Sequence, residues 1–187
     1  FVTITRASAR STYPAQFMLV AAMNPCPCGN YGSRITPCRC TAQQIQRYRN
    51  RISGPMLDRI DIHVEMGEVG YNDIAGRSCG EPSSAIRARV NAARAIQTRR
   101  YAGMGILFNA QLTNRMMNQY CVLTSDAESL MKKAFAALKL SARAYTRLLK
   151  VSRTIADLAG SEQIKAEHIA EAIQYRSLES KYWGEIK

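Results

Sequence analysis

The sequence predicts a mainly α-helical chain in which a small α/β unit with few strands, carrying a cysteine-rich insertion, precedes an all-α unit. Three observations predict this class. Residues 1–66 contain strand-like apolar patterns, residues 24–40 hold four of the six cysteines, and apolar residues recur at helical spacing after residue 83. At 187 residues, the chain can bury a hydrophobic core without needing disulfides.

The strand predictions come from three segments of the first unit. Residues 1–7, FVTITRA, alternate apolar and polar side chains, and the polar, proline-containing stretch after them predicts a hairpin-like excursion. Residues 17–24, FMLVAAMN, form a short continuous apolar run, which is typical of a buried strand. Residues 60–66, IDIHVEM, alternate again and predict a third strand. Before them, TAQQIQRYRNRISGP shows helical spacing and ends in a Gly-Pro pair, which predicts a helix.

A glycine-rich segment without periodicity, residues 67–82, divides the chain into units 1–66 and 83–187, and we interpret it as a linker. The second unit is expected to be a small helical bundle. Its first helix should be capped by Ser83 or Ser84. The apolar stripe of that helix comprises Ile86, Val90, Ala93 and Ile96. Further helices are predicted over residues 109–120, 125–138, 142–158 and 166–175.

Two C-x-C pairs separated by nine residues form the most distinctive local motif. They comprise Cys26, Cys28, Cys38 and Cys40. In a reducing compartment such a cluster favours metal binding over disulfides, and four thiolates can complete a tetrahedral structural zinc site. An iron-sulfur cluster and unliganded or redox-active thiols are the alternatives. Because four protein ligands leave no open position, we assign the site no catalytic role. Cys79 and Cys121 are interpreted as ordinary thiols.

The charge distribution indicates a polyanionic partner. The formal net charge is +12, and no Asp or Glu occurs before Asp58, although seven arginines do. A solvated basic surface that only aids solubility is the alternative. The chain shows neither a secretory signal nor an apolar run long enough to span a bilayer, so a cytoplasmic protein without membrane contact is expected.

Three segments, in order, carry a resemblance to a known family: FMLVAAMNP, GPMLDRIDIHVEM and LSARAYTRLLKVSRTIADLAGSEQIKAEHIAEAI. Over nearly the whole chain, they resemble the second half of an AAA+ ATPase of the magnesium-chelatase-like ComM (YifB) type. The resemblance implies that Asn24 is the sensor 1 residue and that Arg59, in LDRID, is the arginine finger. It also implies that Arg143 is the sensor 2 residue, that Asn24 and Arg143 contact ATP with magnesium, and that residues 83–187 form the helical lid.

The resemblance further implies an activity and partners. Family members of this type are expected to form a homo-oligomeric ring, a hexamer in our interpretation, that couples ATP hydrolysis to DNA remodelling such as branch migration during DNA uptake. In related rings the hairpin before sensor 1 faces the central pore, so Arg6 and Arg10 are candidates to hold DNA phosphates. A contact of these two arginines with a neighbouring subunit is the alternative.

Two absences limit the expected activity of this chain. The phosphate-binding pattern G-x-x-x-x-G-K-[ST] does not occur, and no predicted strand ends in paired acids that would hold magnesium. We therefore expect the chain alone to be inactive and the missing motifs to lie upstream of Phe1. A subunit that remodels a protein or inserts a metal, as magnesium chelatases do, is one alternative, and a non-enzymatic zinc module that binds nucleic acid is the other.

Overall fold

The structure is a computed structural model that describes residues 1–71, 75 and 80–176. Strands and helices follow in this order: β1 Val2–Arg6, β2 Ala9–Tyr13, α1 Ala42–Arg49, α2 Gly54–Leu57, α3 Ser83–Arg100, a 3₁₀ helix Asn109–Gln111, α4 Asn114–Tyr120, α5 Ser125–Ala137, α6 Ala142–Leu158 and α7 Ala166–Gln174. The mainly α character is therefore confirmed. Among these helices, none combines the length and the apolar content that crossing a membrane requires.

Strands β1 and β2 form the predicted hairpin. They pair antiparallel from Val2 opposite Tyr13 to Arg6 opposite Ala9, so a two-residue turn joins them. All ten strand residues are exposed to solvent. The hairpin thus stands out from the rest of the chain, with Arg6 and Arg10 close to its turn.

The two other predicted strands are wrong. Residues 17–24 and 60–66 have no strand structure, and Phe17 and Val20 are 77% and 84% exposed. A strand needs a hydrogen-bonding neighbour on at least one edge, and the β1–β2 hairpin is the only sheet within the described part of the chain. Residues 60–66 contact the helical unit instead, where the backbone N–H of His63 donates to the carbonyl oxygen of Tyr175 over 2.8 Å.

The helical unit forms close to its predicted bounds because polar caps define the starts of three of its helices. The side-chain oxygens of Thr113, Thr124 and Ser141 accept backbone N–H groups in the first turns of α4, α5 and α6. At α3, however, Pro82 occupies the cap position, and Ser83 is already helical. The predicted single helix over 109–120 is divided into the 3₁₀ helix and α4. Parts of the assigned linker and of the C-terminal end of the last unit lie outside the described residues. Cys79 also lies outside them.

Helix α6 lies at the centre of the core. Its Leu148, Leu149 and Ala156 are buried in one apolar cluster with side chains of the other helices and loops: Tyr101, Leu112, Met117, Cys121, Ala127, Met131, Ile164, Ile169 and Ala172. The predicted stripe of α3 enters this core only in part. Ala93 is buried, but Ile86 and Val90 remain 44% and 46% exposed because α3 packs on α6 through its C-terminal half.

A buried polar network ties α3 to α6. The Asp157 carboxylate accepts two bonds from the Arg100 guanidinium, at 2.9 and 2.5 Å, and a 3.1 Å bond from Arg153 Nε. Asn109 Nδ2 also donates to Asp157 over 2.8 Å, and Asn109 Oδ1 accepts a 2.7 Å bond from the Tyr101 hydroxyl. Asp157 and Arg153 are almost fully buried, and their pairing offsets the free-energy cost of removing both charges from water.

Candidate functional site

The LDRID segment docks on the helical unit at the start of α6. Asp58 ends α2 and accepts hydrogen bonds from Ser141 Oγ and from Arg176 Nη2, each 3.3 Å long. Asp61 forms an ion pair with Arg147, one turn further along α6. These contacts join positions more than 80 residues apart in the sequence. They bring the segments of the proposed arginine finger and the proposed sensor 2 residue together.

Arg59 projects from the turn that follows α2. Its side chain is exposed, and Nη1 donates to the carbonyl oxygen of Pro55 over 2.7 Å. No acidic side chain pairs with it among the described residues. The Arg59 guanidinium is therefore exposed to solvent and has no carboxylate partner among the described residues.

Arg143 is the second residue of α6. It is exposed, and within the described ranges it has no ion-pair partner. Ser141, two residues earlier, caps the helix by accepting the backbone N–H of Ala144 over 3.1 Å while it donates to Asp58. Arg143 thus lies where the amide dipoles of a helix start favour an anion.

Asn24 is not at a strand tip, in contrast to the expectation that accompanied its sensor 1 role. The residue is exposed and begins the cysteine loop, with its Nδ2 atom 3.9 Å from where a side-chain carbon on Gly29 would lie. In the part of the chain that the structure describes, no hydrogen bond joins Asn24 to Arg59 or Arg143. The structure brings the two arginine segments together and leaves Asn24 with the cysteine loop.

The four clustered cysteines converge as the spacing predicts. Their sulfur atoms all lie within 4.8 Å of one another. The Sγ atom of Cys26 is 3.4 Å from that of Cys28 and 3.7 Å from that of Cys38, and Cys28 and Cys38 are 3.6 Å apart. Four sulfurs at about 2.3 Å from one tetrahedral ion would be about 3.8 Å apart. The observed separations therefore fit a metal bound by four thiolates.

Turn geometry and electrostatics explain how these thiols are held. Gly29 and Gly32 adopt φ angles of 83° and 84°, which favour glycine and allow the chain to double back. Backbone N–H groups of Asn30 and Arg39 lower the pKa of Cys28 to about 6, whereas loss of solvent raises the pKa of Cys40 to about 12. A cation bound at the cluster would lower the pKa of Cys40 and favour its thiolate form.

Arg49 fastens the cysteine loop to α1, a role that sequence reasoning missed. This arginine is only 3% exposed, its Nε donates to the carbonyl oxygen of Pro25 over 3.4 Å, and its guanidinium carbon lies 4.6 Å from the centre of the Tyr31 ring. The available signal was its position four residues after Ile45, on the inward face of the helix. The loop and α1 therefore form one packed unit.

Comparisons with known proteins identify the family of this chain. A family model described as "Magnesium chelatase, subunit ChlI C-terminal" matches residues 80–176, and one described as "Magnesium chelatase, subunit ChlI" matches residues 1–74. The chain belongs to the magnesium chelatase ChlI family. The family implies an AAA+ class of fold.

Individual relatives of this magnesium chelatase family member confirm the resemblance to the ComM and YifB type. The chain is 44% identical to the competence protein ComM of Haemophilus influenzae. It is 41% identical to the uncharacterized protein YifB of Salmonella typhimurium and also to that of Escherichia coli. Each match covers 95% of this chain and 34% of the relative. The chain spans about a third of the length of these relatives.

Proposed function

We propose that the chain is the C-terminal part of a ring-forming AAA+ ATPase that couples ATP hydrolysis, with magnesium, to DNA remodelling. The observation that carries the proposal is the docking of LDRID on α6, where Asp58 meets Ser141 and Asp61 meets Arg147. An ATPase that senses its nucleotide needs its finger segment and its lid mechanically linked, and these contacts supply that link. The family and the competence protein among the relatives support the same assignment.

Arg59 is proposed as the arginine finger. Phosphoryl transfer depends on charge compensation at the γ-phosphate more than on covalent help, and a positioned arginine contributes about 10³ to 10⁵ in rate. Arg59 is exposed and unpaired by acids within the described residues, and Pro55 holds one of its nitrogens. These properties suit a side chain that reaches the nucleotide of a neighbouring subunit in a homo-oligomeric ring, which we propose to be hexameric.

Arg143 and Asn24 are proposed as the sensors of the bound nucleotide. Arg143, in the first turn of α6, would contact the phosphates, and the Ser141–Asp58 bond would transmit the position of the helix to LDRID. Asn24 would orient the attacking water or a γ-phosphate oxygen through its amide. In this role it requires residues 17–24 to join a sheet supplied by the preceding part of the full-length protein.

The remaining predicted sites have separate roles. Cys26, Cys28, Cys38 and Cys40 are proposed to hold a structural zinc, which stabilises a loop that has few apolar side chains. Arg6 and Arg10, close to the turn of an exposed hairpin, are proposed to contact DNA phosphates. Neither site takes part in hydrolysis itself.

The decisive experiment measures ATP hydrolysis by the full-length protein with and without DNA. The Arg59→Ala and Arg143→Ala variants are compared with Arg115→Ala, which removes an exposed α4 arginine that has no ion-pair partner in the described residues. We expect Arg59→Ala to lose about 10³-fold or more in rate while nucleotide binding persists, and Arg115→Ala to behave as wild type. Full hydrolysis by the Arg59→Ala protein would overturn the arginine-finger assignment.

A chelatase-type or protein-remodelling subunit is the second candidate, and the description of the matching family favours it. The same assay separates the two. Hydrolysis stimulated by DNA supports remodelling of DNA, whereas hydrolysis that ignores DNA and responds to a partner protein supports the second candidate.

A further inference from the structure

We propose that the outer face of α1 is a second DNA-binding surface, distinct from the hairpin, that contacts the phosphate backbone. We call it the α1 face, and it comprises Gln43, Gln46, Arg47, Asn50 and Arg51. The proposal rests on the DNA-remodelling function proposed above and adds a site to it. Its ligand class is the sugar-phosphate backbone of duplex DNA, bound without base recognition.

Burial divides α1 into two clear faces. Ile45 and Arg49 are 4% and 3% exposed and point toward the cysteine loop. All five members of the α1 face are exposed. They line one open concavity of about 370 Å³, formed by the last turns of the helix and the turn that follows it. The outward face is thus a continuous surface rather than a set of scattered side chains.

The chemistry of the α1 face favours an anion. It consists only of guanidinium and amide groups, and the sequence has no acidic residue before Asp58. Within the described ranges, neither Arg47 nor Arg51 has an ion-pair partner. Gln46 Nε2 donates to Asn50 Oδ1 over 2.9 Å, which orients the two amides beside the arginines. Arginine and amide side chains are among the groups that contact phosphate oxygens in protein–DNA complexes.

The spacing of the two arginines suits a repeating polyanion. Arg47 lies in the last turn of α1, and Arg51 follows two residues after the helix ends, in a turn where its backbone N–H donates to the carbonyl oxygen of Tyr48. One strand of duplex DNA carries a phosphate about every 3.4 Å along its axis, so the two arginines can neutralise different phosphates at once.

The structure also holds α1 in a fixed orientation. At its start, Thr41 and Gln44 form a reciprocal capping box, with bonds of 3.2 and 2.9 Å, directly after Cys40. At its end, Arg49 is fastened to Pro25 and Tyr31 of the cysteine loop. The start of the helix is capped directly after the last cysteine, and its end is fastened to the cysteine loop. In this proposal, the cysteine loop has the role of holding the α1 face in a fixed orientation.

The test measures binding of the full-length protein to a fluorescent 30-base-pair duplex over a range of salt concentrations. The variant is Arg47→Ala/Arg51→Ala, and the control is Arg87→Ala/Arg99→Ala, which removes two exposed arginines of α3. Loss of two phosphate contacts should flatten the plot of log affinity against log salt by about 1.8, since each contact contributes about 0.9. An Arg47→Lys/Arg51→Lys variant, which keeps both charges, should retain most of the slope. Metal content and circular dichroism establish that each variant is folded.

The outcomes separate this proposal from the one on which it rests. The proposal is overturned if the slope of log affinity against log salt is unchanged in Arg47→Ala/Arg51→Ala. If that slope is flattened in Arg6→Ala/Arg10→Ala instead, the hairpin is the DNA site. Wild-type protein that does not bind DNA overturns DNA remodelling as well. Loss of ring assembly in Arg47→Ala/Arg51→Ala, with unchanged DNA affinity per protomer, also overturns the proposal and assigns the α1 face to a subunit contact.

Discussion

The hydroxyl of Ser141 donates a hydrogen bond to the Asp58 carboxylate over 3.3 Å, across 83 positions of sequence. The same hydroxyl accepts the backbone N–H of Ala144 and so caps α6. Asp58 in turn accepts from Arg176, which follows the last helix. One carboxylate therefore holds the LDRID turn, the start of α6 and the end of the helical unit together.

Removal of the Asp58 carboxylate should weaken the contact between the LDRID segment and the helical unit. We expect Asp58→Ala to lower the free energy of unfolding by about 1 to 3 kcal/mol, because the largely buried Arg176 loses a charged partner and Ser141 an acceptor. Urea denaturation measures the change. Glu81→Ala is the matched control, since its ion pair with Arg89 is well exposed and should contribute at most about 1 kcal/mol. Equal effects of both substitutions would contradict the docking role of Asp58.

The cysteine cluster should hold about one zinc ion per chain when the protein is purified without chelator. Serine at Cys26 or Cys38 should release the metal, because either change leaves three thiolates. Cys121→Ala should retain it, since this thiol is buried in the core and its burial raises its pKa to about 11. Elemental analysis of the wild type and the three variants measures the metal content. A folded, metal-free wild type would remove the assignment.

Asp157 should be the most sensitive acidic residue of the helical unit. Asp157→Ala is expected to cost about 3 to 5 kcal/mol of unfolding free energy, because it leaves the buried Arg153 without its carboxylate. Chemical denaturation followed by circular dichroism measures this. In the control, Glu128→Gln breaks an exposed pair with Lys132 and should leave the stability close to that of the wild type. A loss below about 1 kcal/mol for Asp157→Ala would show that the network contributes little.

Stability should fall with pH below about 6.5 in a way that depends on His168. Burial lowers the pKa of this histidine, while its Nδ1 accepts the backbone N–H of Lys165 over 3.0 Å. The unfolded chain therefore binds a proton near pH 6.5 that the folded chain binds only at lower pH, and each step of acidification between the two values favours unfolding. At higher pH the imidazole is neutral in both states and this contribution is constant.

Thermal denaturation at pH 7.5 and 5.5 checks the histidine prediction. His168→Gln keeps an acceptor at the third helical position but has no titrating group. The difference between wild type and this variant isolates His168 from other groups that titrate in the same range. Equal pH sensitivity of the two proteins would refute the prediction.

The sequence predicted local features of this chain well. The bounds of α6 agreed at both ends because Ser141 supplies a cap and the apolar spacing is regular. The cysteine cluster followed from the C-x-C spacing. Both features depend on residues that are close together in sequence, which is why pattern reasoning reached them.

Features that depend on distant partners were not predicted. An apolar run such as residues 17–24 reports only that its side chains favour burial, not whether a neighbouring strand is present to complete the sheet. No sequence pattern connects Asp58 with Ser141, which lies 83 positions later in the chain. The burial of Arg49 against Tyr31 likewise needed the return of the cysteine loop to α1.

The run from Phe17 to Met23 is exposed in this chain, and it is prone to aggregate until the sheet proposed above covers it. It contains seven uncharged residues in succession, several of them strongly β-forming, and its backbone is not paired in the described structure. Such a segment can pair with the same segment of another molecule and extend into a cross-β sheet. Pro14 and Pro25 lie on either side of this segment and have no backbone N–H to donate to such a sheet. They therefore limit the length of chain that can take part in aggregation.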